Sequence, residues 1–348
     1  MICLIGNKKG MSTSVMNWIF VTIAGAVILI FIFKIIHAQG QITELEASSN
    51  LLEDLGGVLV GRSVSENSFS EIKIPSDKIF IFKCDGFCNK NVGCRSYVTT
   101  ASKGKRIDTS VRPIFSPEKI KFTNKIYSFV YSWKIPFNVV NFVYLSYPGE
   151  QIVLDCRSNS KCDDIKSKIP EKLFRAKIVV DISKESTHFK FKKHIYFKSD
   201  TECNTLINSV SSSDKKHMVC VGDSRIFFED KGDKKSYYYL TDEEILAAMF
   251  TEDSKTYECN MRKAEYKYNK AVEIYTNRVN SLKPFNTRGN CDFYYNSNIL
   301  TLLNSYKIKY DQNQDLFDQL KTLKSSNMYQ KMNLLNLKLA RNGCSQIY

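Results

Sequence analysis

Between Val15 and Ile36 the chain reads VMNWIFVTIAGAVILIFIFKII, an apolar run broken by a single charge, Lys34. In a helix rising ~1.5 Å per residue, about 20 such residues cross a hydrocarbon layer of roughly 30 Å, so this run constrains the fold more than any other feature. Asn17 and Trp18 at one end and the snorkelling Lys34 at the other suit the two interfaces of a bilayer. The expectation is one membrane-spanning helix, with the lipid bilayer as its partner. Lys8 and Lys9 precede the run without any acid, whereas Glu44, Glu46, Glu53 and Asp54 follow it. Positive charge favours the cytoplasmic side. The expected placement is therefore the cell membrane, with the N-terminus cytoplasmic and the C-terminal domain extracytoplasmic. A cleaved secretory signal fits less well, because its apolar core is shorter.

Ile42, Leu45, Leu52 and Leu55 continue at helical spacing until Gly56-Gly57, which predicts a helix from about Val15 to Leu55. Lys8-Lys9-Gly10, then Met11-Ser12-Thr13-Ser14, then the apolar helix resembles the leader of type IV pilin-like precursors. That resemblance implies cleavage between Gly10 and Met11, with the helix retained. The chain departs from the bacterial pattern at Val15, where those proteins carry a Glu. The layout is also similar to that of archaeal single-pass surface proteins, through Lys8–Ser14 with its span, Trp133–Phe137 with Asn141–Leu145, and Tyr257–Met261. This second resemblance implies placement and no activity.

Eleven cysteines provide a separate signal. Cys3 precedes the apolar run. Cys84, Cys88, Cys94, Cys156, Cys162, Cys203, Cys220, Cys259, Cys291 and Cys344 follow it, an even number on the expected oxidising side, as in a disulfide framework. Cys156 with Cys162 and Cys203 with Cys220 are natural short brackets. Five of the ten lie before residue 200 and five after, so full pairing requires a bridge between the halves. Zinc held by Cys84, Cys88 and Cys94 is the competing reading, but that spacing matches no standard zinc pattern.

Beyond the helix the pattern is α+β. Strands are expected at Ile79–Lys83, Ile126–Trp133, Val139–Leu145, Ile178–Ile182, Phe189–Phe197, Met218–Val221 and Ile226–Glu229, with a hairpin loop at Asp230–Asp233. Phe189 and Phe191 alternate with Lys190 and Lys192, the pattern of a half-exposed strand. A helix is expected over Thr201–Val210. Thr241-Asp242-Glu243-Glu244 reads as a capping box. Tyr257, Met261, Ala264, Tyr268, Ala271, Tyr275 and Leu282 mark a long amphipathic helix, with further helices at Ile299–Tyr306, Leu316–Leu323 and Met332–Leu339. The fold class read from this is a long transmembrane helix, a β-rich and α/β outer domain, and a C-terminal helical bundle, stapled by disulfides. Its divisions are a leader over 1–10, helix and stalk over 11–56, a β-rich domain over 57–172, a small α/β unit over 173–240 and a helical domain over 241–348.

Chemistry is sparse. The four histidines, His37, His188, His194 and His217, form no H-E-x-x-H pair, and no nucleophile elbow or phosphate-cradling loop is present. No catalytic residue, metal ligand or cofactor is expected, and the many Asn residues include no glycosylation sequon. The formal charge is +14, of which +11 lies beyond residue 37. The expected function is a membrane-anchored extracytoplasmic surface protein with a structural or interaction role, a pilin-like envelope component engaging other surface proteins. The alternative is an anchored receptor that holds an acidic polymer, glycan or nucleic acid, on its basic domain.

Overall fold

The computed structural model describes residues 9–73, 79–89, 93–100, 106–121, 125–157, 159–180, 189, 191–209, 217–230, 232–282, 291–295, 297–305 and 328–348. The expected helix at Leu316–Leu323, Cys3 and His188 lie outside them. Residues 1–51 and 52–348 form two units, each described by itself.

Helix α1 runs from Lys9 to Ser63 as one element and passes through Gly56-Gly57 rather than stopping there. In the second unit, Leu52, Leu55 and Leu59 of α1 are buried, and this apolar face carries the helix beyond the glycine pair. Gly56 lies so close to Ile107 that a Cβ would meet its side chain at 2.9 Å. Gly56 thus marks a close approach and not a terminus.

Among the described residues no helix is long and apolar enough to cross a membrane. This corrects the expected transmembrane helix, and with it the single-pass, cell-membrane placement. The apolar stretch of α1 with described side chains is Trp18–Phe33, bounded by Lys34.

Three sheets build the second unit. One has the order β1-β7-β8-β5, from Phe69–Lys73, Lys125–Lys134, Asn138–Ser146 and Ile114–Phe115. Another has the order β4-β3-β2-β6, from Arg106–Asp108, Gly93–Thr100, Ile79–Asn89 and Lys119–Lys121. Both use the aromatic and β-branched runs that suit a pleated, half-buried surface.

The third sheet has six strands in the order β10-β9-β11-β12-β13-β14, from Ile178–Val179, Glu150–Asp155, Phe191–Phe197, His217–Val221, Arg225–Asp230 and Asp233–Tyr238. Its first four strands are parallel and its last two antiparallel. Strand β9 lies centrally, and every one of its residues is buried. It therefore joins residues on both sides of position 172 in a single sheet. Helices α2 (Ser160–Lys168) and α3 (Glu171–Lys177) connect β9 to β10, as parallel pairing requires of a crossover. Helix α4 (Asp200–Ser209) connects β11 to β12 and covers a small cluster of Cys203, Ile207, Met218, Cys220 and Phe227. The β13–β14 hairpin turns between Asp230 and Asp233, where Gly232 takes φ +94°, a conformation only glycine adopts without strain.

The largest core lies between the first and third sheets and the C-terminal helices. These are α5 (Asp242–Phe250), α6 (Ser254–Leu282), α7 (Cys291–Tyr294), α8 (Ser297–Ser305) and α9 (Met328–Arg341). Helix α6 packs on β2, β3 and β8 as well as on α8, so the expected bundle is instead a helical layer against sheets. Its aromatic stripe explains this: Tyr257 meets Phe115 and Phe228, and Tyr268 meets Trp133 and Phe137. Such ring pairs favour a sheet rich in aromatics over a partner helix of Leu.

Candidate functional site

The first unit carries the strongest surface signal. Twelve large apolar side chains between Trp18 and Phe33 are exposed, from Ile32 at 46% to Phe20 at 74%. From Val27 to Phe33 they are consecutive, so almost two turns are apolar on every side. A helix of this kind is normally buried, and apolar area of this extent marks a contact surface. The hydroxyl of Thr22, the polar side chain in the stretch, bonds back to the carbonyls of Trp18 and Ile19 at 2.9 Å. The stretch therefore asks nothing polar of whatever covers it. Gly10 and Met11, the expected processing pair, lie at the start of α1.

In the second unit the ionisable groups most displaced from ordinary behaviour are interior. Lys193 on β11 is 1% exposed, and its Nζ donates to the carbonyls of Ala248 and Thr251 at the end of α5. Glu150 on β9 accepts from Ser146 Oγ at 2.8 Å. Lys177 donates to the Pro148 carbonyl. Glu244 accepts from Trp133 Nε1 at 2.9 Å and from the Leu240 N–H at 3.2 Å. The expected capping box is thus half formed: the Glu reaches back to the backbone, while the Thr241 hydroxyl makes no cap. Lys263 on α6 donates to the Asn260 side chain at 2.8 Å and to the Arg112 carbonyl at 3.2 Å. These groups tie elements together, each engaged by a fold contact. His217 lies between Asp230 at 3.5 Å and Glu252 at 3.9 Å, its ring tilted against that of Phe191 with centroids 4.9 Å apart.

Burial pushes the carboxyls of Glu150, Glu244 and Glu265 up to about 7 and pulls Lys177 and Lys193 down to about 8 and Lys263 to about 7. The three acids hold protons in the folded state at pH values where the unfolded chain has released them. Stability therefore falls as pH rises from about 4.5 to 7. The lysines act above that window, where the unfolded chain binds more protons and stability rises again toward pH 10. A minimum near pH 7–8 is expected in urea unfolding midpoints. Glu265, which is 3% exposed and has a buried Oε2 without a hydrogen-bond partner among the described residues, provides the sharpest check. Glu265→Gln is expected to leave the midpoint at pH 4.5 unchanged and to raise stability at pH 8 by up to about 3 kcal/mol.

At the carboxyl edge of the six-stranded sheet, where open α/β sheets commonly bind ligands, most polar groups are engaged, although Asp155 Oδ2 is buried without a hydrogen-bond partner among the described residues. The Asp200 carboxylate accepts from the Ser224 N–H and Oγ and from the Arg225 N–H. Gly222 is packed so tightly against it that a Cβ would lie 2.0 Å from Asp200 Oδ1. Asp155 pairs with Arg157 at 3.0 Å. The Cys156–Cys162 bridge then closes the loop over the end of β9.

The structure brings four cysteine pairs together: Cys84 with Cys259, Cys156 with Cys162, Cys203 with Cys220, and Cys291 with Cys344. Cys94 is also disulfide-bonded, and Cys88 lies opposite it in the β2–β3 ladder, its side chain outside the described residues. The two short brackets are the ones the sequence suggests, and Cys84–Cys259 joins the two halves. Thiolate ligation of zinc by Cys84 and Cys94 is incompatible with these bonds. Among the described residues no group of three or more His, Cys, Asp and Glu side chains is placed to hold a metal ion.

Within the basic segment Phe189–Lys193, β11 is paired on both edges, Lys192 is partly exposed and Lys193 is interior. Part of the positive charge, Lys177, Lys193 and Lys263, is buried and not offered to a polyanion. Compared with protein-family models, with curated proteins and with solved structures, the chain matches none.

Proposed function

We propose that this chain is an assembly protein: the apolar stretch of α1 packs against the same stretch of neighbouring copies, and the disulfide-stapled unit is what the assembly displays. This is a structural role of the pilin-like kind suggested by the N-terminal resemblance. The observation that supports it is the exposure of twelve large apolar side chains within sixteen residues of one helix. Covering even half of them would contribute on the order of 10 kcal/mol of apolar burial. Exposure on every side calls for several neighbours, as at the centre of a helix cluster, and not for a single dimer face.

The test is sedimentation of the full chain as detergent is diluted away. Large, reversible assemblies are expected for the native chain. Val27→Lys with Ile30→Lys should hold it monomeric, because each lysine would have to be buried unpaired at the helix contact. A native chain that stays monomeric, or that enters lipid vesicles as single copies, would overturn the proposal.

A further inference from the structure

A second surface, independent of α1's apolar stretch, lies along strand β8. In the sheet order β1-β7-β8-β5, one edge of β8 is paired along its length by β7. The other edge is covered by β5 only at Val143 and Tyr144, which face Ile114 and Phe115. Among the described residues nothing pairs with that edge from Asn138 to Phe142. The Val143 N–H donates to the Pro113 carbonyl at 3.1 Å, so the backbone groups of Val143 point to the β5 side. Asn141 lies two residues away in unbroken register with β7, so its N–H and C=O point to the same side, where no strand follows. An unpaired strand edge is a template for another strand.

This edge is the floor of an open groove of about 510 Å³. Ser63 and Val64, at the end of α1, form one wall, and Val111, Arg112 and Pro113 the other, with Lys267 of α6 beside them. The far wall is fixed, since Lys263 and Asn260 of α6 hold the Arg112 carbonyl and the Ile114 N–H. Val64 and Val111 are 77% and 50% exposed, so the rim is apolar. Arg112 and Lys267 make no ion pair with any described carboxylate; Asp108 feels Arg112 only as the weakest of several influences.

We infer that this groove takes an extended, acid-bearing peptide segment of a partner protein, which adds as a strand to β8 and sets its carboxylates against Arg112 and Lys267. Backbone pairing would supply affinity, while the two cations and the apolar rim would select the side chains. Glycans and small anions would use the cations but not the strand edge.

The probe is a fluorescein-labelled peptide of four Val-Glu repeats, titrated into the full chain in mild detergent and read by anisotropy. Binding is expected, with slowed amide exchange at Asn141. Methylating alternate backbone nitrogens of the peptide should weaken it at least tenfold, and this needs no change in the protein. Arg112→Glu with Lys267→Glu should also weaken it about tenfold or more, because like charges would then face each other. Three results would overturn the inference: no binding up to about 1 mM, a weak limit for a specific peptide site; binding indifferent to both changes; or Asn141 already protected in a self-paired dimer.

Discussion

Lys193→Ala is expected to cost the second unit about 4 kcal/mol, one of the two largest single effects in the molecule. The Nζ of Lys193 donates to Ala248 and Thr251, carbonyls at the end of α5 that have no following helical turn to satisfy them. Truncation would remove a buried cation, strand those two acceptors and leave a cavity between β11 and α5. Leaving a buried acceptor unsatisfied costs about 1–3 kcal/mol, so two stranded carbonyls together give a loss of this size. Lys193→Met separates the contributions, since it keeps the apolar stem while removing the donor, and it should recover roughly half of the loss. Urea unfolding near pH 7 with disulfides intact would read both variants. A loss below about 1 kcal/mol in Lys193→Ala would show that water reaches those carbonyls and that the lysine is not their essential partner.

The second large effect concerns Cys84–Cys259. This bridge closes a sequence separation of 175 residues, whereas Cys156–Cys162 closes six. If cross-links act mainly by restricting the unfolded chain, opening the long loop should cost about 5 kcal/mol and opening the short one about 2 kcal/mol. The long bridge also fastens α6 to β2, so its loss would release the helix from one sheet. The comparison to make is Cys84→Ala with Cys259→Ala against Cys156→Ala with Cys162→Ala, by unfolding midpoint. Equal losses would argue that native packing, and not loop entropy, sets the contribution of each bridge.

Much of the element content was legible because it rests on local pattern. The stripe of Tyr257, Met261, Ala264 and Tyr268 marks a face that the structure buries. The hairpin at Gly232 follows from turn chemistry, and the two short cysteine brackets follow from proximity along the chain. Strand β9 escaped notice because its six residues, EQIVLD, show no alternation: a central parallel strand covered on both faces needs none. The alternation of Phe and Lys near β11 has the form of a half-exposed strand; only the fold showed that β9 and β12 pair with both its edges and that α5 provides partners for Lys193.

By itself the sequence determined the local elements: an apolar helix at the start, the period of α6, the turn at Gly232 and the pairing of neighbouring cysteines. Each depends on residues a few positions apart, whose geometry the backbone imposes directly. Only the tertiary structure decided which strands are central, which charges are interior and which edge of β8 stays unpaired. Those outcomes depend on partners far away along the chain, such as Glu244 beside Trp133 and Asn260 beside Ile114. A buried lysine and an exposed one are the same letter, and the difference lies in the carbonyls that folding brings to them.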